Sequence, residues 1–157
     1  MKRVSFIDTS VLCEFLDLPG RNNQHARVRA EFSKRYADGE QFVIPVTAVI
    51  ETGNYIEQCS GDRRAAAKRF CDLLDAIIDE RAPFLLHEME WGSSMLRSFV
   101  DGDSTESSFV DLAGAGRLGG GDVAILVERD HFRNRNPVGA VAIWTFDAEL
   151  AALSKAS

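Results

Sequence analysis

The fold of this chain is decided by the stretch VSFIDTS, residues 4–10. Its apolar part is short and bounded by polar residues, which is typical of a strand buried inside a sheet. Ser10 then predicts the N-cap of a helix that ends at Pro19-Gly20. A buried strand that leads directly into a helix indicates an α/β fold.

The alternation of strands and helices continues to the end of the chain. Further strands are predicted at residues 41–44, 84–86 and 141–144. Helices are predicted at residues 24–38, 46–59, 62–80, 91–100, 108–112, 122–130 and 148–153. The intervening residues 131–139, HFRNRNPVG, are predicted as a loop. This order favours one α/β domain over residues 1–157, with a parallel sheet covered by helices on both faces.

The bulk composition is that of an ordinary globular domain. The chain has 157 residues, of which 45% are apolar and 27% charged, enough for one buried core. No apolar run is long enough to span a bilayer, and MKRVSFIDTS lacks the apolar core and cleavage site of a signal peptide. We therefore expect a cytoplasmic protein without a membrane partner.

Three features of the composition bear on disulfide bonds, zinc sites and nucleic-acid binding: the cysteines, the histidines and the net charge. The three cysteines are odd in number and form no C-x-x-C pair, so reduced core thiols are expected. The three histidines lack the spacing of zinc ligands. A net charge of −6 argues against a nucleic-acid partner, unless clustered carboxylates are neutralised by bound divalent cations.

Four acidic residues from distant parts of the chain are predicted to meet at one edge of the sheet. Asp8 follows the first strand and Asp147 follows the last. Glu51 lies on the polar stripe of the helix after the second strand, and Asp122 opens the helix after a glycine run. The carboxyl ends of parallel strands share one edge, and open α/β sheets bind ligands there.

Such a cluster of carboxylates has a chemical consequence. Two carboxylates about 4 Å apart repel each other by roughly 4 kcal/mol at an effective dielectric near 20. Four of them in one cleft must take up protons or bind cations, and hard divalent ions such as Mg²⁺ or Mn²⁺ prefer oxygen ligands. These ions activate water and stabilise the leaving oxygen in phosphodiester hydrolysis. The four acids are therefore predicted as metal ligands and catalytic residues.

Each acid also has a structural interpretation. Asp122 and Asp147 stand at helix starts, where aspartate is a common capping residue. Glu51 is also compatible with a solvated helix surface, and Asp8 with a strand-to-helix junction. Three further acids are possible substitutes for a misassigned ligand: Glu14, Asp130 and Glu149.

Four segments resemble, in order, the sequence blocks of the PIN-domain family, which includes the VapC-type toxins. They are FIDTSVLCEFL, IPVTAVIETGNY, GGGDVAILVERD and IWTFDAEL. By this resemblance the family's acidic positions are taken by Asp8, Glu51, Asp122 and Asp147. The hydroxyl groups that support the metal site are supplied by Thr9 or Ser10, together with Thr145.

The resemblance implies a three-layer α/β/α sandwich with a short parallel sheet. It also implies a Mg²⁺- or Mn²⁺-dependent endoribonuclease that hydrolyses RNA phosphodiester bonds. Family members are often toxins with an antitoxin partner, and a homodimer is expected. The region 91–119 and the loop 131–139 are longer here than in a minimal PIN domain, which leaves substrate and partner open.

Basic residues offer RNA contacts outside the acidic cluster. Arg133 and Arg135 in the predicted late loop are candidates for binding phosphates. Basic runs in residues 27–35 and 63–69 are either further contacts or solvated helix faces.

Other function classes fit the sequence less well. A catalytically silent PIN-like module that binds a partner is the main alternative to an enzyme. A phosphatase with Asp8 as nucleophile would need a second aspartate where this chain has Ser10. A response-regulator receiver would need paired acids after the first strand, which are absent from the sequence.

Overall fold

The computed structural model of the chain describes residues 2–154. Its sheet has three parallel strands: β1 (Arg3–Ile7), β2 (Gln41–Val43) and β3 (Ala140–Trp144). The strand order is β2-β1-β3, so β1 lies in the centre and pairs with both neighbours.

Helices connect the strands and follow the last one. In chain order they are α1 (Thr9–Phe15), α2 (His25–Ala37), α3 (Val46–Gln58), α4 (Arg63–Ile78), α5 (Ser93–Asp101), α6 (Phe109–Gly114), α7 (Gly120–Arg135) and α8 (Ala148–Ser154). Two separate hydrophobic clusters form the core: one contains residues of α1 to α4, and the other contains residues of α5 to α8.

The sheet separates these two clusters because side chains alternate along each strand. In β1, Phe6 belongs to the cluster with α5 to α8, whereas Ile7 belongs to the cluster with α1 to α4. In β3, Ile143 and Trp144 divide between the same two clusters. The prediction of an α/β fold with a parallel sheet covered on both faces is confirmed, and the arrangement is compatible with a three-layer sandwich.

Three local predictions were wrong. Residues 84–86 are not a strand, because their pairing with the sheet is limited to one isolated bridge between Phe42 and Phe84. Ser10 is not the N-cap of α1, since the helix already begins at Thr9 and Asp8 is its N-cap. The late loop is also much shorter than predicted: α7 continues to Arg135, because buried Phe132 extends its apolar face.

Two further expectations concern the surface and the thiols. Within residues 2–154, no helix is both long and apolar enough to cross a membrane. The three cysteines are free, as predicted, and Cys13 and Cys59 are buried. Cys71 is exposed on α4, so its assignment to the core was wrong.

The strand order determines where a ligand site is expected. The chain passes from β1 to β2 on one side and then returns to β3 on the other side of β1. In open α/β sheets the crevice at such a switch in strand order, beyond the carboxyl ends of the strands, is the usual place for ligands. Here the switch lies between β1 and β3.

Candidate metal centre

Asp8 lies at this switch, immediately after β1. Its backbone N–H donates to the carbonyl of Trp144 at 3.0 Å, which continues the pairing with β3. Its carboxylate Oδ2 accepts hydrogen bonds from Ser10 Oγ at 2.9 Å and from Thr145 Oγ1 at 2.7 Å. The side chain makes no capping hydrogen bond to α1. Asp8 is thus held by hydroxyl groups that come from both strand ends.

The hydroxyl groups around Asp8 form a small network. Thr145 Oγ1 also accepts from the backbone N–H of Asp147 at 2.9 Å, and Ser10 Oγ accepts from the backbone N–H of Phe146 at 3.1 Å. Ser10 and Thr145 therefore both contact the Asp8 carboxylate, and their support of a metal site stays a prediction. Thr9 does not contribute: its hydroxyl is buried and has no hydrogen-bond partner within residues 2–154.

Asp147 combines a structural contact with a position near the other acids. Its Oδ1 accepts from the backbone N–H of Leu150 at 2.9 Å, which is the geometry of an N-cap for α8. The capping interpretation of this residue is therefore correct. The residue is exposed, and its charge helps to raise the pKa of Asp122.

Asp122 lies in the first turn of α7 and is half-buried. Its carboxylate accepts from the backbone N–H of Gly119 at 3.3 Å. Burial raises the pKa of Asp122, the charges of Asp8 and Asp147 raise it further, and the Gly119 N–H opposes them. The ionised carboxylate of Asp122 is therefore repelled by the charges of two other acids.

Glu51 reaches this region from α3. Its carboxylate lies against Gly121, where an added Cβ would be 2.5 Å from Glu51 Oε1. The residue is exposed overall, but desolvation at its carboxyl group raises its pKa. The charges of Asp8 and Asp122 also raise this pKa, whereas Arg21 lowers it.

The four acids interact electrostatically, as the raised pKa values of Glu51 and Asp122 indicate, and Glu51 also contacts Gly121 in the first turn of α7. Asp8 acts on both Glu51 and Asp122, and Asp147 acts on Asp122. Within residues 2–154, no three His, Cys, Asp or Glu side chains already form a metal-binding group. The donor set nevertheless fits a hard divalent cation, because it consists of mutually repelling oxygen ligands. The missing Cβ at Gly121 makes room for one of these ligands, the Glu51 carboxylate.

The three substitute acids each have another contact. Glu14 accepts a hydrogen bond from a backbone N–H of the following loop at 2.9 Å. Asp130 lies 2.7 Å from Arg129, and Glu149 lies 2.7 Å from Arg117. None of the three contributes to the raised pKa of Glu51 or Asp122.

Arg133 and Arg135 are not loop residues beside the acids. Both lie in the last turn of α7, and Arg133 forms a 3.1 Å ion pair with Asp130. Arg133 is about 16 Å along the helix axis from Asp122, at the usual rise per residue. Their placement was wrong because the helix continues where a loop was expected, and an RNA contact at these residues stays a prediction.

Two neighbours of the acidic cluster were missed from the sequence. Arg21 is close enough to lower the pKa of Glu51, and Phe146 stands between Thr145 and Asp147 at the end of β3. The position of Phe146 beside the acidic cluster could have been predicted from the sequence, because this residue lies between Thr145 and Asp147 in the segment IWTFDAEL. Arg21 follows the Pro19-Gly20 turn and gave no comparable signal.

Comparison with protein-family models, curated proteins and solved structures finds no match.

Proposed function

We propose that this chain is a PIN-like endoribonuclease that uses Mg²⁺ or Mn²⁺ to hydrolyse RNA phosphodiester bonds. The observation that carries the proposal is the position of Asp8. Its carboxylate is anchored by hydroxyl groups at the β1–β3 switch, and its charge acts on acids of α3 and α7.

Each acidic residue has a role in the proposed reaction. Asp8, Glu51 and Asp122 would hold the cation, and Asp147 would complete or orient the site through water. When bound, the cation activates water and offsets the charge that develops on the phosphodiester. Thr145 keeps the Asp8 carboxylate oriented through its 2.7 Å hydrogen bond.

The negative net charge is compatible with an RNA substrate. The acids that repel a phosphate are the ones that would be neutralised by the cation, and the charge of Arg21 reaches one of them, Glu51. Phosphate contacts are local, so a basic group near the site matters more than the total charge of the chain.

The wider biological role comes from the sequence resemblance. It supports a three-layer PIN-like fold, action as the toxin of a toxin–antitoxin pair, an antitoxin protein partner and a homodimer. Action in the cytoplasm is proposed separately, because the sequence has no apolar run long enough to span a bilayer and its first residues lack the features of a signal peptide.

The test is RNA cleavage in the presence of Mn²⁺ by the wild type and by two variants, Asp8→Asn and Asp122→Asn. Each variant should lower kcat on the order of 100-fold or more, as the loss of one electrostatic group does at other active sites. Asp38→Asn is the matched control, because Asp38 is exposed at the opposite edge of the sheet. Retained activity in both test variants would rule out the proposed centre.

The second candidate is a catalytically silent PIN-like module that binds a partner protein. It is favoured by the exposed apolar residues Leu96, Val100 and Val110 on α5 and α6, which are 51%, 51% and 76% exposed. Isothermal titration with Mn²⁺ separates the two functions. The nuclease should take up Mn²⁺ and lose this uptake in Asp8→Asn, whereas a silent module should show no uptake that depends on Asp8.

A further inference from the structure

A groove of about 460 Å³ begins beside the acidic cluster. We call it the Phe146 groove; the residues that matter for its chemistry are Ser10, Glu14, Arg21, Asn23, Arg27 and Phe146. It joins the acidic cluster because Ser10 lines the groove and also donates to the Asp8 carboxylate. Its volume lies within the usual range of small-ligand pockets, about 300–1,000 Å³.

The turn that carries Arg21 is fixed by contacts with α3. Tyr55 Oη donates to the carbonyl of Pro19 at 2.5 Å. Gly20 has a φ of +81°, and a Cβ there would be 2.8 Å from Tyr55 Oη, so this turn requires glycine. The Arg21 guanidinium then lies 4.2 Å from the centroid of the Tyr55 ring. The basic group is therefore held in place.

The two arginines of the groove are available to bind anions. Neither Arg21 nor Arg27 forms a salt bridge with an acid of residues 2–154. Arg21 also lowers the pKa of Glu51, so its charge reaches the acidic cluster. A phosphate bound at Arg21 would thus lie between the acids and the groove.

Phe146 supplies an aromatic surface at the same boundary. The residue is 40% exposed, and the Arg27 guanidinium lies 5.8 Å from the centroid of its ring. The hydrogen bond from its backbone N–H to Ser10 Oγ at 3.1 Å fixes the chain at this residue. An exposed ring beside a guanidinium is suited to stacking with an unpaired nucleic-acid base.

A larger cavity elsewhere is less suited to a phosphate chain. It has about 860 Å³ and lies between α5 and the C-terminal half of α7. Its charged lining consists of Glu88, Glu90, Asp103, Asp130, Arg133 and Arg135. Acids outnumber arginines there, whereas the Phe146 groove has two arginines and Glu14 as its one acid.

We infer that the Phe146 groove binds a nucleotide of single-stranded RNA next to the phosphodiester that is cleaved. The base stacks on Phe146, and the phosphate binds between Arg21 and Arg27. This inference rests on the proposed function, because it identifies where the substrate lies relative to the acidic cluster. Single-stranded RNA is required because a paired base would not present its face to the ring.

The experiment is fluorescence anisotropy with a short fluorescein-labelled oligouridylate in EDTA, where binding is measured without cleavage. Phe146→Leu should raise Kd roughly 10-fold through the loss of one stacked base. Arg27→Gln should raise Kd and make the slope of log affinity against log salt shallower by about 0.7, the value for one phosphate on a single strand. Tyr36→Leu and Arg3→Gln are matched controls, because both residues are exposed at the opposite edge of the sheet, and they should bind like the wild type.

The outcome distinguishes the groove from the catalytic centre. Wild-type affinity and salt dependence in both Phe146→Leu and Arg27→Gln would overturn the groove inference, even if RNA cleavage with Mn²⁺ still required Asp8. Weakened binding in these variants would support the groove, even if no cleavage with Mn²⁺ were found and the nuclease proposal failed. Thermal unfolding of each variant confirms that a loss of binding is not a loss of fold.

Discussion

Glu128 gives the sharpest prediction about stability. It lies on α7, is only 2% exposed, and faces the start of α3. Its Oε1 accepts from the Val46 N–H at 3.4 Å, a long contact, and its Oε2 has no hydrogen-bond partner within residues 2–154. Burial therefore raises the pKa of Glu128 from 4.5 to about 7, against the opposing effect of the Val46 N–H.

The sign of the effect follows from proton binding. Between pH 4.5 and about 7, the folded protein keeps a proton on Glu128 that the unfolded chain has released. The contribution of Glu128 to the free energy of unfolding is therefore fully present below pH 4.5 and decreases as the pH rises to about 7. The full loss corresponds to about 3 kcal/mol.

Glu128→Gln removes the titration and keeps the shape of the side chain. The free energy of unfolding of the variant minus that of the wild type should increase by up to about 3 kcal/mol as the pH rises from about 5 to about 8. A buried amide also needs partners, so a constant offset is expected and only the pH dependence tests the reasoning. The assay is urea unfolding over this pH range.

The control for this experiment is Glu57→Gln, which changes an exposed glutamate of α3. This variant removes one glutamate charge from the surface, and its unfolding curves are measured over the same pH range for comparison with Glu128→Gln. If the curves of Glu128→Gln and the wild type run parallel from about pH 5 to pH 8, Glu128 does not titrate as proposed.

Two further predictions concern the acidic cluster. Gly121→Ala should lower RNA cleavage about 10-fold with little change in thermal stability, because the new Cβ displaces the flexible Glu51 carboxylate. Gly120→Ala is its control, since a Cβ there makes only a 3.8 Å contact, and equal activity of the two variants would contradict the prediction. Thr145→Val removes the 2.7 Å hydrogen bond to Asp8 and should cost about 1 kcal/mol in urea unfolding. It should also lower kcat by about 10-fold, and an unchanged kcat would show that the hydroxyl does not position Asp8.

The elements with strong periodic patterns could be predicted from the sequence. The prediction of a helix over 62–80 matches α4, whose residues Ala66, Phe70, Leu73 and Ile77 are buried on one face. The first and last strands were also found, and their ends place Asp8 and Asp147 at the same edge of the sheet. These predictions held because local pattern and tertiary burial agree.

The wrong predictions were of two kinds. A helix continued through a polar segment that was predicted as a loop, and a short apolar run was predicted as a strand that does not form. The residues HFRNRN read as a loop, yet most of them extend α7, and Asn136 Nδ2 donates to the carbonyl of Phe132 at 2.8 Å near its end. Residues 84–86 resemble a strand in composition, but the backbone hydrogen bonds between this segment and Phe42 involve only Pro83 and Leu85. Single-sequence periodicity cannot distinguish these cases.

The Phe146 groove beside the acidic cluster could not be predicted from the sequence. Arg21, whose charge lowers the pKa of Glu51, follows a turn that Tyr55 contacts through the carbonyl of Pro19, and this contact joins residues 36 positions apart. No local pattern reports such a contact. Arg133 and Arg135 were chosen instead because a basic loop is a visible signal, although the true helix carries them away from Asp122.

Capping and cation binding are not competing interpretations of the acidic residues. Asp8 and Asp147 are N-cap residues and Asp122 lies in the first turn of α7. A helix N-terminus stabilises a nearby negative charge by about 0.3–1 kcal/mol, which offsets part of the repulsion among clustered carboxylates. The fold can therefore keep these charges together before any cation binds. Asparagine caps a helix about as well as aspartate but carries no charge, so aspartate-to-asparagine variants test the site rather than the fold.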